Sequence, residues 1–531
     1  MIITDMVHID HAKGSRNIMF PSKKSSSALL RALAKVASWT MLSRILGFVR
    51  DILLARLLGA GPLADAFFVA LKLPNFFRRL FAEGTLTVAL VPVLAEERKK
   101  SEADAHAYLN ALAGLLLLAL LLFTLAGMIF MPWLLLLFAP GFHGEADRWQ
   151  ASLHLARWMF PYLACISLAA MSWAVLNSYR KFSVAAASPA LLNIALIFAA
   201  IVLAPQMDNP AEALAIGVIL GGVLQLAIQF PALKRIGWIP SPTWRPRSPA
   251  IWQTLLLFGP AVLSIAAVQI NILVGTILAT LQPVGAVSYL YYADRLVQLP
   301  LGVFGIAMGT ALLPALSDHM ANRRFSEARR ELGQGLAWLT WIILPAVVGL
   351  LLLAEPIVRT LFEHGLFTAN DAHATAMTLQ AYTVGLMAFC WARVLSTACY
   401  AEKDAKAPMR YAIVSMIANI VLALLLMEPL GYVGLALATS LASWLNVVLL
   451  WRRFTCTQQC GIFDRDNIAH ILRAFLASLG MAAFLLALYQ WWAFPEQQKL
   501  WQCLWLSCAI IGGGATFFAL SKILAIVQKK S

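Results

Sequence analysis

TMLSRILGFVRDILLARLLGAGPLADAFFVALKLPNFFRRLFAEGTLTVALVPVLA, residues 40–95, decides the fold. It is apolar enough for two bilayer crossings of about 20 residues each. Yet the first crossing holds Arg44, Arg50 and Asp51, and the second holds Asp65, Lys72, Arg78, Arg79 and Glu83. A mid-bilayer Arg or Lys costs roughly 2.5–3.5 kcal/mol on insertion scales, so five of them facing lipid would cost on the order of 12–17 kcal/mol. These side chains are therefore expected to face a helix-bundle interior or a water-filled cavity. The spacing agrees, because Arg44 and Asp51 are seven residues apart and share a helix face, as do Asp65 and Lys72. Pro74 cannot donate a backbone hydrogen bond and frees the carbonyl of Ala70, which predicts a break near Pro74 and Asn75. Arg78 and Arg79 then lie in the second half of that span, with Glu83 one turn beyond Arg79.

The rest of the 531-residue chain extends the pattern: 61% of it is hydrophobic and 13% charged, with mean hydropathy +0.76. A soluble domain is usually 45–50% apolar. A soluble enzyme and a domain held by one helix are both excluded. Fourteen apolar runs, from 30–58 to 501–527, read as helices, the spanning element such runs imply. The fold class expected is therefore an all-α polytopic membrane protein.

The excess of 41 basic over 26 acidic residues follows the loops rather than a nucleic-acid partner. With the N-terminus cytoplasmic, the inner loops include EERKK (96–100), KRIGWIPSPTWRPR (234–247), NRRFSEARR (322–330) and EKDAKAPMR (402–410). The opposite loops hold only Arg148 and Lys499 as basic residues. This positive-inside bias predicts that both termini are cytoplasmic. Residues 1–28 read as a disordered cytoplasmic tail. Cys456 and Cys460 form CTQQC in an inner loop, with no second Cys or His pair to complete a metal site. No metal or cofactor is expected.

The chain also repeats itself. VALVPVLAEE (88–97) reads onto TALLPALSDH (310–319), and LFAPGF (137–142) onto LFEHGLF (361–367). Six spans separate the copies, so the two halves share an orientation and predict two similar bundles with a site between them. The expected division is an N-lobe (29–248), a C-lobe (249–452) and an appended helix pair (453–531). Asp294 and Arg295 fall at the repeat position of Lys72 and its neighbour, which places charges from both halves at one depth. Guanidinium groups match phosphate oxygens bidentately, so the cavity suits a phosphate-bearing, lipid-linked substrate. A nucleotide-binding GxxxxGK[ST] loop is missing, so energy is expected from gradients, membrane potential or product consumption.

Residues 40–95 closely resemble the opening of the MurJ (MviN) family, flippases of lipid-linked peptidoglycan precursor. YYADRLVQLPLGVFGIAMGTALLPALS (291–317) is similar to that family's eighth helix. The resemblance implies the multidrug/oligosaccharidyl-lipid/polysaccharide exporter fold, with two six-helix lobes and an added pair forming a lipid-tail groove. It implies transport of lipid II, an undecaprenyl-pyrophosphate disaccharide-pentapeptide, between leaflets of the inner membrane for cell-wall synthesis. Membrane lipids and the cell-wall synthesis machinery are the other implied partners. It further implies that Arg44, Arg50 and Arg295 face the pyrophosphate. Asp65, Arg78, Arg79 and Glu83 match charged family positions, with Asp51, Lys72, Asn75 and Asp294 as lesser candidates. Some relatives bind sodium through acids in the second lobe. The seventh span here (250–281) contains no acid, which argues against an equivalent site and leaves the coupling ion open. Export of another polyprenyl-linked glycan, or of drugs, is the alternative within the superfamily.

Overall fold

Backbone polar groups in lipid must be satisfied within the segment, and helices do this residue by residue. The computed structural model describes residues 23–82, 84–458, 461–495 and 498–530; for 23–34, 36, 82, 264, 267–268, 456–458 and 527–530 it describes the backbone alone. Glu83, Cys460, the side chain of Cys456 and residues 1–22 of the expected tail lie outside the described residues. Among those described, all regular structure is helical. Ten helical runs are long and apolar enough to cross a bilayer, and Pro249–Thr280 adds two shorter apolar stretches. One of the ten, in the helical run Lys406–Gln458, holds two passages meeting at Gly431 (φ 58°). With the charge-bearing passages 23–58 and 62–100, the described residues supply about fourteen candidate crossings. It is a multi-pass membrane protein.

The internal repeat is visible element by element. The short helix Met131–Phe138 recurs as Ala354–Phe362, and a π-turn at Arg78–Ala82 recurs at Leu301–Gly305, each at a spacing of 223 from its start. The passage made by Ala146–Met159 and Tyr162–Ser178 recurs as Ala369–Ala401. Even the tight turns after these passages match: Arg180 (φ 59°) and Lys403 (φ 61°) are both left-handed. After them, Lys181 N donates to Leu176 O at 2.8 Å and Asp404 N to Cys399 O at 3.0 Å. These six-residue closures cap both helices. Two pseudo-symmetric six-helix bundles follow, with helices Arg465–Trp491 and Lys499–Lys530 outside the repeat. That pair packs on itself and on Phe325–Leu352, where Trp341 Nε1 donates to Ser521 Oγ at 2.9 Å.

Three details differ from the sequence reading. The second passage does not break at Pro74. Its helix Pro62–Phe77 runs through that residue, and the irregularity comes later, in the π-turn Arg78–Ala82 and at Gly84 (φ 88°). The helix of the first passage is already present at Lys23, the first described residue, so residues 23–28 of the expected disordered tail are helical. The stretch 146–154, expected as outer loop and span edge, is helix, and Arg148 within it is buried. Helix Pro249–Thr280 packs against both halves, on Thr85–Lys100 and on Lys406–Gln458.

Large apolar side chains such as Leu121, Leu122, Ile129, Leu263 and Leu425 are exposed around the periphery. Within the passages, by contrast, charges such as Arg50, Asp51 and Asp65 are buried, the arrangement lipid surroundings require.

Candidate functional site

Between the two bundles lies a cavity of about 1170 Å³. Its walls come from Lys23–Leu58, Pro62–Phe77 with the π-turn after it, Phe182–Phe198, Pro249–Thr280, Ala286–Pro300 and Lys406–Gln458. Six basic side chains line it: Arg44, Arg50, Lys72, Arg78, Arg79 and Arg295. Two acids, Asp51 and Asp294, join them, leaving four positive charges in excess. Asn75 lines the same space and turns its amide back to Leu71 O at 2.8 Å. Nine of the eleven sequence candidates therefore meet in one cavity. Asp65 lines it nowhere, and Glu83 lies outside the described residues.

The centre of the cluster is an ionic knot that ties the bundles together. Arg50 donates to Asp51 Oδ1 through Nε at 2.9 Å and Nη2 at 2.6 Å, and through Nη1 to Asn193 Oδ1 at 2.8 Å. Tyr291, from the other half, donates to Asp51 Oδ1 at 3.0 Å. It accepts from Arg50 Nη2 at 3.2 Å and Arg295 Nη2 at 3.1 Å. Arg295 Nε also lies 3.4 Å from Asp51 Oδ2. One carboxylate thus faces two guanidinium groups, so the knot keeps a net positive charge. Phe68 stacks on Tyr291 with centroids 4.0 Å apart, which fixes the phenol where both arginines reach it. Asn193 is held in turn by donating to Ser43 O at 2.9 Å.

Arg44 is held differently. Among the described residues it has no hydrogen bond or ion pair, and its guanidinium lies against Gly302. A Cβ at position 302 would sit 1.9 Å from Arg44 Nη1, so any larger residue there would have to push the guanidinium aside. Lys72 donates to Thr276 Oγ1 at 3.3 Å across the bundles. The Asp294 carboxylate accepts from the Gln298 amide on the cavity wall.

Asp65 does other work. It is fully buried and caps a helix of the opposite bundle, accepting from Gly285 N at 2.8 Å, Ser288 N at 3.0 Å and Ser288 Oγ at 2.7 Å. A carboxylate at a helix N-terminus meets unpaired amides and the positive end of the helix dipole. Arg148 backs it at 3.4 Å and also pairs with Glu145. Around this clasp the backbones nearly touch. A Cβ at Gly59 would come 2.4 Å from Leu366 O, one at Gly365 2.3 Å from Arg56 O, and one at Gly285 2.7 Å from Ala60 O. Leu366 N donates to Arg56 O at 3.0 Å, and Tyr292 OH to Gly59 O at 3.2 Å. The two bundles are sealed on the face carrying 59–61, 281–285 and 363–368.

Sequence reasoning missed Asn193 and Tyr291, although an Asn in an apolar span is a signal in itself. It also placed Arg148 in a loop, where its pairing with Asp65 could not be foreseen.

The family model described as "Lipid II flippase MurJ" matches residues 54–509. A Haemophilus influenzae protein named "Probable lipid II flippase MurJ" is 37% identical over 500 residues, covering 91% of this chain and 98% of that protein. A Burkholderia cenocepacia protein named "Lipid II flippase MurJ" is 33% identical over 503 residues, covering 93% and 96%. A solved structure described as "Lipid II flippase MurJ, inward closed conformation" superposes with TM-score 0.77 at 27% identity, covering 92% of this chain and 98% of that one. An inward-facing multidrug resistance MATE family transporter of the MOP superfamily shares the fold alone, with TM-score 0.64 at 14% identity over 80% of this chain and 99% of that one. On this extent of match, the chain belongs to the MurJ family of lipid II flippases.

Proposed function

We propose that this chain flips lipid II from the inner to the outer leaflet of the bacterial inner membrane, supplying precursor for peptidoglycan synthesis. One observation carries the reading: an arginine-lined cavity with four excess positive charges sits between two matching bundles. Arg44, Arg50 and Arg295 take the diphosphate, with Lys72, Arg78 and Arg79 extending the positive field. Arginine keeps its charge at any depth and offers planar donors in pairs. Asp51 and Tyr291 hold Arg50 and Arg295 in place without cancelling their charge. The polyprenyl tail stays in lipid, against the appended helix pair.

The mechanism is alternating access without a chemical step, so the chain acts as a transporter and not as an enzyme. The Asp65 clasp and the glycine seam close one face, which positive-inside loop bias makes the outer one. Transport requires that seam to part while the opposite face closes. A cationic cargo such as a drug would call for acids in the cavity, and basic groups outnumber them here six to two.

Depleting the chain in cells that have no second flippase tests the reading. Lipid II should accumulate in the inner leaflet, protected from probes added outside. Accumulation in the outer leaflet, or none at all, would count against it.

A further inference from the structure

The arginines account for only part of the cavity wall. Gln269 and Asn271 from helix Pro249–Thr280, and Asn419 from the helical run Lys406–Gln458, line the same space without any charge. Asn419 Nδ2 donates to Asn271 Oδ1 at 3.2 Å, which orients the two amides relative to each other. That bond leaves Asn419 Oδ1 buried with no partner among the described residues. Gln269, 5% exposed, has its Oε1 in the same condition. On the wall from the first half, Trp173 Nε1 is likewise buried and unpaired. Buried polar atoms are nearly always paired, because an unpaired one forfeits its water without recompense. Two orphan carbonyl oxygens and one orphan indole N–H, all on one cavity, are complementary to a ligand that brings both donors and acceptors.

We propose that Gln269, Asn271 and Asn419, with Trp173, form a second, neutral subsite that receives the sugar-and-peptide part of the head group. This rests on the lipid II reading above. Sugar hydroxyls and amide N–H groups donate to Gln269 Oε1 and Asn419 Oδ1, while an acyl or peptide carbonyl accepts from Trp173 Nε1. A diphosphate brings acceptors and no donors at neutral pH, so it does not satisfy the two amide oxygens. The cavity thereby divides its labour: guanidinium groups hold the charged linkage, and amides read what is attached to it. The subsite supplies preference for a glycosylated lipid over the bare carrier.

The test compares two probes on the purified full-length chain in nanodiscs: undecaprenyl diphosphate, and lipid II itself. Wild type is expected to bind lipid II at least tenfold more tightly. The double variant Gln269→Met, Asn419→Leu should lose that preference while holding undecaprenyl diphosphate within twofold of wild type, and the latter measurement also reports folding. If the double variant binds neither probe, the two single variants are compared, and each should narrow the preference. A preference unchanged in the variants, or a wild type that binds both probes equally, overturns the subsite and leaves the transport reading intact. A wild type that binds neither probe overturns the transport reading itself.

Discussion

Asp65 and Gly285 lie 220 residues apart, yet the carboxylate of one accepts from the backbone N–H of the other at 2.8 Å. The cap of a helix in one bundle is therefore a side chain of the other. Helix capping is usually local, and here it makes opening the seam equivalent to uncapping Ala286–Pro300. The helix has no substitute of its own, since its N-cap residue is a glycine.

Removing that cap should shift the resting conformation. Asp65→Ala deletes the three hydrogen bonds from Gly285 and Ser288 and the one from Arg148, which is left paired with Glu145. A loss of one or two kcal/mol changes a two-state ratio by a factor of roughly 5–30. Hydrogen exchange at Gly285 and Ser288 should accelerate by that order, together with exchange at Leu366 across the seam. Unchanged protection at these amides would show that the clasp does not hold the bundles closed.

The seam itself is intolerant of a side chain. Gly365 has φ 61°, and its missing Cβ would fall 2.3 Å from Arg56 O, a backbone atom that cannot swing aside. Gly365→Ala should hold the seam ajar, raising exchange at Leu366 and slowing lipid II transport. Gly61→Ala, where a Cβ meets nothing within 4 Å, serves as the control and should leave both near wild type.

In the ionic knot, Arg50→Ala leaves Asp51 buried with its principal partner gone and only Tyr291 and Arg295 remaining. Breaking a buried pair from one side costs about 3–5 kcal/mol. The apparent unfolding temperature in detergent should fall clearly. Adding Asp51→Asn should recover part of the loss, because the unbalanced charge goes with it. A double variant no more stable than Arg50→Ala would contradict the pairing described here.

Gly302→Ala separates binding from folding. The new methyl would displace the Arg44 guanidinium, a flexible group able to move, so the fold should hold. Affinity for undecaprenyl diphosphate should nonetheless drop by about tenfold, equivalent to 1.4 kcal/mol. Equal affinity would place the diphosphate away from Arg44.

Lipid made much of this legible beforehand. With no water to satisfy the backbone, every long apolar run had to be helical, and a charge inside such a run had to face inward. That logic brought Arg44, Arg50, Lys72 and Arg295 to one cavity from positions spread over 251 residues. It failed where tertiary contacts overrule local cues. Pro74 reads as a break, but its helix continues and the irregularity falls at the π-turn that follows. Asp65 has the charge of a cavity residue and the position of a helix cap, and only the packing of two bundles distinguishes these. Arg148 reads as a loop residue because its neighbours are polar, whereas its burial depends on Asp65 far away in sequence. Asn271 and Asn419 each stand out as an amide in an apolar run, but they are 148 residues apart, and only the packing brings them together.

The most direct measurement is the transbilayer distribution of lipid II in cells whose sole flippase is this chain carrying Arg44→Gln and Arg295→Gln. Membrane insertion should match wild type, because both side chains face the cavity and not lipid. Lipid II should remain in the inner leaflet. Delivery to the outer leaflet at the wild-type rate would show that the guanidinium groups do not carry the diphosphate.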